Sequence, residues 1–216
     1  MVNGSETAQP RTNAPDGVKG PLSRPLIVAA ARRLLREIGL EKTSLRRLAT
    51  ELGVTAPALY AHVTDKDDLL AALAETGFRE LVDRFRTIDE TDPLDLARAQ
   101  CLAYVAQALD DPDLFRVMFL FRPGALDLPG VDNELPAATE AFEIAAAGVT
   151  GAIEAGALHP DCDPATAALT LWTVSHGAAT VLLLGIPADE SGRMAFARSI
   201  VDVCLVGLSS PPPTHT

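Results

Sequence analysis

Apolar residues recur at the spacing of a helix face along nearly the whole chain. Ile27, Ala30, Ala31, Leu34, Leu35 and Ile38 fall at i, i+3, i+4, i+7, i+8 and i+11, one side of a 3.6-residue helix. No alternating run of useful length marks a strand. The spacing therefore predicts an all-α chain: an N-terminal three-helix head and a larger helical body, joined by one long helix. Ser23 is placed to cap the first helix, Pro25 fits its first turn and Gly39 can end it. A second, shorter stripe of Leu45, Leu48, Ala49 and Leu52 stops at Gly53. A third helix of about two turns is predicted over 56–62, with Thr55 as N-cap and Pro57 in its first turn. Thr64-Asp65-Lys66-Asp67 has the form of a capping box with Asp in place of Glu. It opens a helix carrying Leu69, Leu70, Leu73, Leu81, Val82 and Phe85. Further helices are predicted over 93–109, 112–121, 135–157, 164–184 and 191–208, with a Pro/Gly-bearing loop over 122–136.

The expected organisation is a disordered arm over 1–20, a DNA-binding head over 21–66, a ligand-binding and dimerisation body over 67–209, and a tail over 210–216. The first twenty residues are polar and lack the apolar stretch of a signal peptide. Cys101, Cys162 and Cys204 are far apart, with no CxxC pair or Cys/His cluster, so neither a disulfide framework nor a zinc site is indicated. The segment 165–186 is long and mostly apolar. It carries Ser175 and His176 near its middle and no positive charge close to either end, and it reads as a buried interface helix rather than a membrane span.

A net charge of −11 argues against a nucleic-acid partner until its distribution is read. Residues 1–66 hold ten Lys and Arg against six Asp and Glu, giving +4. The remaining residues hold eight against twenty-three, giving −15. A basic head on an acidic body suits a chain of which only one end meets phosphate. Marks of an enzyme are missing: no HExxH, no nucleophile elbow, no Gly-rich phosphate loop. Ser175 and His176 are adjacent on a helix, so their side chains diverge and form no dyad. No catalytic residue, metal or cofactor is expected.

The most informative spacing lies in residues 44–63: a short helix, a Gly53-Val54-Thr55 turn, and a second short helix with Leu59 and Val63 facing inward. This is the pattern of a helix-turn-helix, whose second helix can enter the major groove. A helical hairpin in a protein core has similar spacing. What favours DNA is resemblance. The run TSLRRLATELGVTAPALYAHVTDKDDLL, from Thr43 to Leu70, resembles the signature of the tetracycline-repressor (TetR) family, including the Leu59-Tyr60 pair, His62-Val63 and Lys66. The likeness extends over 23–75. Farther on, Leu171-Trp172-Thr-Val-Ser-His176-Gly177 is similar to a Trp-x-x-x-His-Gly motif in the C-terminal domain of one TetR subfamily.

The resemblance implies roles. Arg46 matches a guanine reader, and a bidentate contact to O6 and N7 suits its guanidinium. Pro57 and Tyr60 match groove-facing residues, and His62 and Lys66 match phosphate contacts. Lys66 also stands near a helix N-terminus, whose amides favour the same anion. Ser44, Arg47, Thr55, Ala56 and Ala58 complete the candidate DNA face. Ala56 and Ala58 are short where the repressors this run resembles have longer polar residues, and Leu45 replaces a hydroxyl residue. Direct base readout is therefore thin, and shape readout gains weight. Each residue also has a plainer reading: Arg46 and Arg47 as a solvated face, Tyr60 as a lid on the three-helix core, His62 as a surface histidine.

The family further implies a homodimer, a palindromic duplex operator, a small-molecule effector of unknown identity, release of a repressor by that effector, and a cytoplasmic location with no membrane partner. Candidate ligand contacts are Tyr104, Phe115, Met118, Phe119, Trp172 and His176. Trp172 and His176 are one helical turn apart, and Gly177 is placed to allow a close helix approach. Candidate dimer contacts are Ala178, Ala179, Leu182 and Leu183 on one helix, with Ile200, Val203, Cys204 and Val206 on the other. Core packing competes with both readings. A rival function is a regulator without effector, whose body serves dimerisation or a protein partner. A large closed cavity in the body would favour the sensor, and a solidly packed body the rival.

Overall fold

The computed structural model describes residues 21–119, 135–186 and 189–210. The expected arm over 1–20, nearly all of the 122–136 loop and the tail beyond Ser210 lie outside the described residues. Within them every regular element is an α-helix: α1 (Arg24–Ile38), α2 (Leu45–Leu52), α3 (Ala56–Tyr60), α4 (Lys66–Arg86), α5 (Pro93–Asp110), α6 (Pro112–Phe119), α7 (Pro136–Glu154), α8 (Pro164–Leu183) and α9 (Glu190–Leu208).

Local chemistry sets the ends. Ser44 and Thr55 cap α2 and α3, accepting from the amides of Arg47 and Ala58 at 3.3 and 3.4 Å. Gly53 closes α2 at φ 66, ψ 28, a left-handed conformation that a side chain disfavours by about 1–2 kcal/mol. Two expectations need correction. Ser23 occupies the N-cap position of α1 but its hydroxyl caps nothing, so Pro25 and the buried face carry that start. The cap of α4 sits one residue later than the Thr64 frame: Asp65 accepts from the amide of Asp68 at 2.8 Å, and Asp68 accepts from the amide of Thr64 at 2.8 Å. Asp68 thus reaches the amide before the N-cap and not that of Asp65 itself, so the two contacts bracket the helix start without forming the reciprocal box. Helix α3 is also shorter than expected, ending at Tyr60.

One apolar cluster runs from the head into the body. Ile27, Leu34, Leu48, Leu59 and Val63 join Leu69, Leu73 and Phe78 of α4 and Leu114 of α6 without a break. A second cluster, around Val149, Leu158, Leu171, Val201 and Leu205, fills the far end of the body. Helix α4 is thus part of both head and body cores, packing on α1 at one end and on α6 and α7 beyond it. Helix α8 is long and apolar enough to cross a membrane by length and composition, but it packs against α5, α7 and α9 as a core helix.

Candidate nucleic-acid interface and body cavity

The head sorts its side chains into two sets. Leu45, Leu48, Ala49, Leu59 and Val63 are buried. Ser44, Arg46, Arg47, Thr55, Ala56, Pro57, Tyr60 and Lys66 are exposed, and Ala58 and His62 are partly so. Tyr60 is 52% exposed, so it does not close the three-helix core; Leu59 does. Arg46, Arg47 and Lys66 form no ion pair with another described residue, whereas Arg24, Arg32, Arg36 and Arg98 are each paired. Unpaired cations and an open tyrosine around a short helix make a surface able to meet phosphates and base edges.

Arg24 fixes the attitude of this surface. Its Nη1 donates to the His62 carbonyl at 2.8 Å and to Asp68 at 3.0 Å, and its Nη2 donates to the other oxygen of Asp68. The Arg24 guanidinium pulls the Asp68 carboxyl down to about 2. At the α4 N-terminus the amide of Asp68 is already capped and Asp67 stands in the first turn. One of the helix-end amides is therefore already used within the chain.

In the body the structure brings together the aromatic residues singled out from sequence. His176 Nδ1 lies 2.8 Å from the Tyr104 hydroxyl. The His176 ring centroid is 4.7 Å from that of Phe119 and 5.5 Å from those of Phe115 and Trp172. Burial lowers the His176 pKa and raises those of the Tyr104 phenol and of the Cys101 thiol, the last to about 11, so all three are uncharged near neutrality.

Beside this cluster is a cavity of about 160 Å³ between α4, α5, α7 and α8. Tyr104, Phe119 and Trp172 line it. Phe115, Met118 and His176 do not: Phe115 and His176 stack behind the lining, and Met118 packs its Sδ toward Gly77, with Gln107 Nε2 at 3.8 Å. Reading the sequence missed Phe78, Leu81 and Phe85 of α4, Gln100 of α5 and Thr139 of α7 as liners. Gln100 carried a signal, a polar residue inside the apolar stripe Ala97, Cys101, Tyr104. Phe142 and Leu169 line the same space and are exposed, so it opens to the surface there.

The candidate dimer residues divide. Ala178, Ala179 and Leu182 are sealed inside the chain's own core, where α8 meets its neighbours, and Leu183 is partly buried. Ile200 and Val203 are exposed and Cys204 is partly so. The candidate Val206 is exposed as well, and so are Leu184 and Ile186, outside the candidate set. Gly177 makes no close approach within the chain: a Cβ there would meet nothing within 4 Å.

This geometry coincides with known sequence patterns. Residues 27–73 match the family model of bacterial regulatory proteins of the tetR family, and residues 97–203 match that of the tetracyclin repressor-like C-terminal domain. An HTH-type transcriptional regulator of Mycobacterium tuberculosis is 30% identical over 191 residues, 83% of this chain and 79% of that one. The chain belongs to the TetR family. As a TetR-family member it is a helix-turn-helix, DNA-binding transcription regulator. It is also similar to the class C tetracycline repressor of Escherichia coli, 32% identical over 114 residues; the aligned stretch covers 53% of this chain and only 52% of that repressor. Among solved structures, a protein of unknown function from Rhodococcus sp. RHA1 superposes with a TM-score of 0.73 at 30% identity, covering 87% of this chain and 95% of that one.

Proposed function

We propose that this TetR-family regulator is a cytoplasmic repressor that binds a two-fold-symmetric operator as a homodimer and leaves it when a small, largely apolar molecule enters the body cavity. The observation that carries this reading is that α4 serves both sites. Its Phe78, Leu81 and Phe85 line the cavity, and its first turn is tied to α1 and to the turn after α3 through Asp68, Arg24 and the His62 carbonyl. A close-packed core transmits a displacement rather than absorbing it. A ligand that fits better when α4 is tilted favours that tilt and so spoils the match of two heads to successive major grooves. What supports a sensor over a regulator without effector is the apolar space of about 160 Å³ between α4, α5, α7 and α8, open at Phe142 and Leu169. The likeness of residues 171–177 to the Trp-x-x-x-His-Gly motif of one TetR subfamily supports the same placement, since Trp172 lines the cavity.

The partner copy would cover Val203 and Val206 of α9 with Leu184 and Ile186 at the end of α8, large apolar side chains that the single chain leaves in water. The candidate DNA contacts are Ser44, Arg46, Arg47, Thr55, Ala56, Pro57, Ala58, Tyr60, His62 and Lys66. The deciding experiment is an operator gel shift on footprinted DNA, with and without compounds that quench Trp172, the only tryptophan. A working effector should raise the operator Kd roughly 5- to 150-fold at saturation. A compound that enters the cavity and leaves operator affinity unchanged removes the coupling.

A further inference from the structure

The cavity wall contains polar groups that the fold leaves unmet. Gln100 lines it at 5% exposure, and its carboxamide makes no hydrogen bond to another described residue. That amide lies against Gly148 of α7: a Cβ at Gly148 would stand 2.8 Å from Gln100 Oε1. Glycine there gives the amide its place. Thr139 Oγ1, also on the wall, is fully buried without a partner. Buried polar groups are nearly always paired, because leaving them dry forfeits the hydrogen bonds they made in water. Of the two, the Gln100 amide is the one that borders the open space, and it points to an occupant that pairs with it.

The rest of the wall limits that occupant. Among the described residues, no Asp, Glu, Lys or Arg lines the space. An ion placed there would lose its hydration with no counter-charge to offset the loss. On α7 the lining runs from Ala138 to Val149, about 16 Å of helix at 1.5 Å per residue. The volume, about 160 Å³, is close to that of the engineered apolar cavity of about 150 Å³ known to take benzene.

We propose that the cavity selects an uncharged, elongated, mostly apolar molecule whose one hydrogen-bonding group, an amide or carbonyl, lodges against Gln100. This rests on the reading of the cavity as the effector site. Gln100 offers both a donor and an acceptor, and so matches a primary amide in two directions. Trp172 and Phe119 supply the flat apolar wall for the remainder.

The test uses the full chain at pH 7 and three probes of one shape: butylbenzene, 4-butylbenzamide and 4-butylbenzoate, titrated by Trp172 fluorescence. The amide should bind about tenfold more tightly than the hydrocarbon, the value of one or two buried hydrogen bonds. The benzoate should bind at least about a hundredfold more weakly than the amide. In Gln100→Met the advantage of the amide over the hydrocarbon should fall to about twofold, with hydrocarbon binding itself reporting that the cavity is intact. Gly148→Ala keeps Gln100 but displaces its amide, and should reduce the same ratio several-fold. Equal binding of hydrocarbon and amide, preference for the benzoate, or an amide preference that survives both substitutions overturns the proposal while leaving the cavity a ligand site. Failure of all three probes to bind removes the effector site itself.

Discussion

Arg36 donates from both Nε and Nη2 to a single oxygen of Asp111, at 2.9 and 2.7 Å, across 75 residues of sequence. Arg32 reaches the same oxygen at 3.1 Å and also pairs with Glu80 of α4. The other Asp111 oxygen accepts from the amide of Leu114 at 3.2 Å. One buried carboxylate thus ties α1 of the head to the joint between α5 and α6, and caps α6 as it does so. Together with the Arg24–Asp68 contact it holds the head to the body at two separate places along α1.

Removing that carboxylate should loosen the joint. Asp111→Ala should cost about 2–3 kcal/mol of stability at pH 7, because it ends charged hydrogen bonds at a buried site. Asp111→Asn retains the α6 cap and should cost less. Burial alone would raise the Asp111 pKa, but hydrogen bonds from Arg36, the Leu114 amide and Arg32 outweigh it and hold the carboxyl below its usual value. A depressed folded-state pKa gives stability that is complete above the unfolded value, about 4, and is lost as pH falls through the folded one. The gap between wild type and Asp111→Ala in urea midpoints should accordingly shrink below pH 4. A constant gap down to pH 2 would show that the charge contributes nothing.

Arg46 is exposed on α2 with no carboxylate partner among the described residues. Arg46→Ala should cost about 1–3 kcal/mol on the specific operator and relax preference at one base pair. Selection of binding sites from a random pool checks this. An unchanged sequence logo would take Arg46 off the list of base readers.

Lys66 stands exposed at the first residue of α4, beside Asp65 and Asp67. Lys66→Ala should weaken binding to all duplex sequences alike and flatten the salt dependence by roughly one unit of log–log slope. Titration across a salt series measures it. If the slope keeps its value, the lysine neutralises no phosphate.

Val203 is 71% exposed in the single chain, so a charge there leaves the chain's own packing alone. Val203→Glu should shift the dimer toward monomer by about tenfold or more in dissociation constant, since it buries an unpaired carboxylate at the proposed two-fold contact. Operator affinity should fall with it. Sedimentation equilibrium decides: a variant that dimerises as well as wild type places the interface elsewhere.

Much of the architecture was legible in residue order because helices are local objects. The stripe from Ile27 to Leu35, the glycines at 39 and 53, the caps at Ser44 and Thr55 and the prolines at the starts of α5, α6, α7 and α8 act within one or two turns. The boundary errors are of the same local kind: Ser23 in the right place without a hydrogen bond, and a cap of α4 at Asp65 in place of Thr64, with Asp68 reaching back to the Thr64 amide. The exposed face of the head was legible too, since the period that buries Leu59 and Val63 exposes Tyr60 and Pro57 by the same rotation.

An apolar residue at a helical period shows only that a face seeks cover; it does not show what covers it. Ala178, Ala179 and Leu182 proved to be covered by their own chain, Val203 and Val206 are left exposed among the described residues, and Trp172 borders a void. Phe115, Phe119 and Trp172 look alike in sequence, yet Phe119 and Trp172 face the cavity and Phe115 stands behind them. Pairing Gln100 with Gly148 or Arg36 with Asp111 takes three-dimensional closure of helices far apart in the chain. The amino-acid sequence by itself determined where the helices start, stop and turn their apolar sides, and that the head is basic and the body acidic. Only the tertiary structure decided which apolar faces became core, cavity or open surface, because those outcomes have the same local chemistry and differ only in what stands opposite.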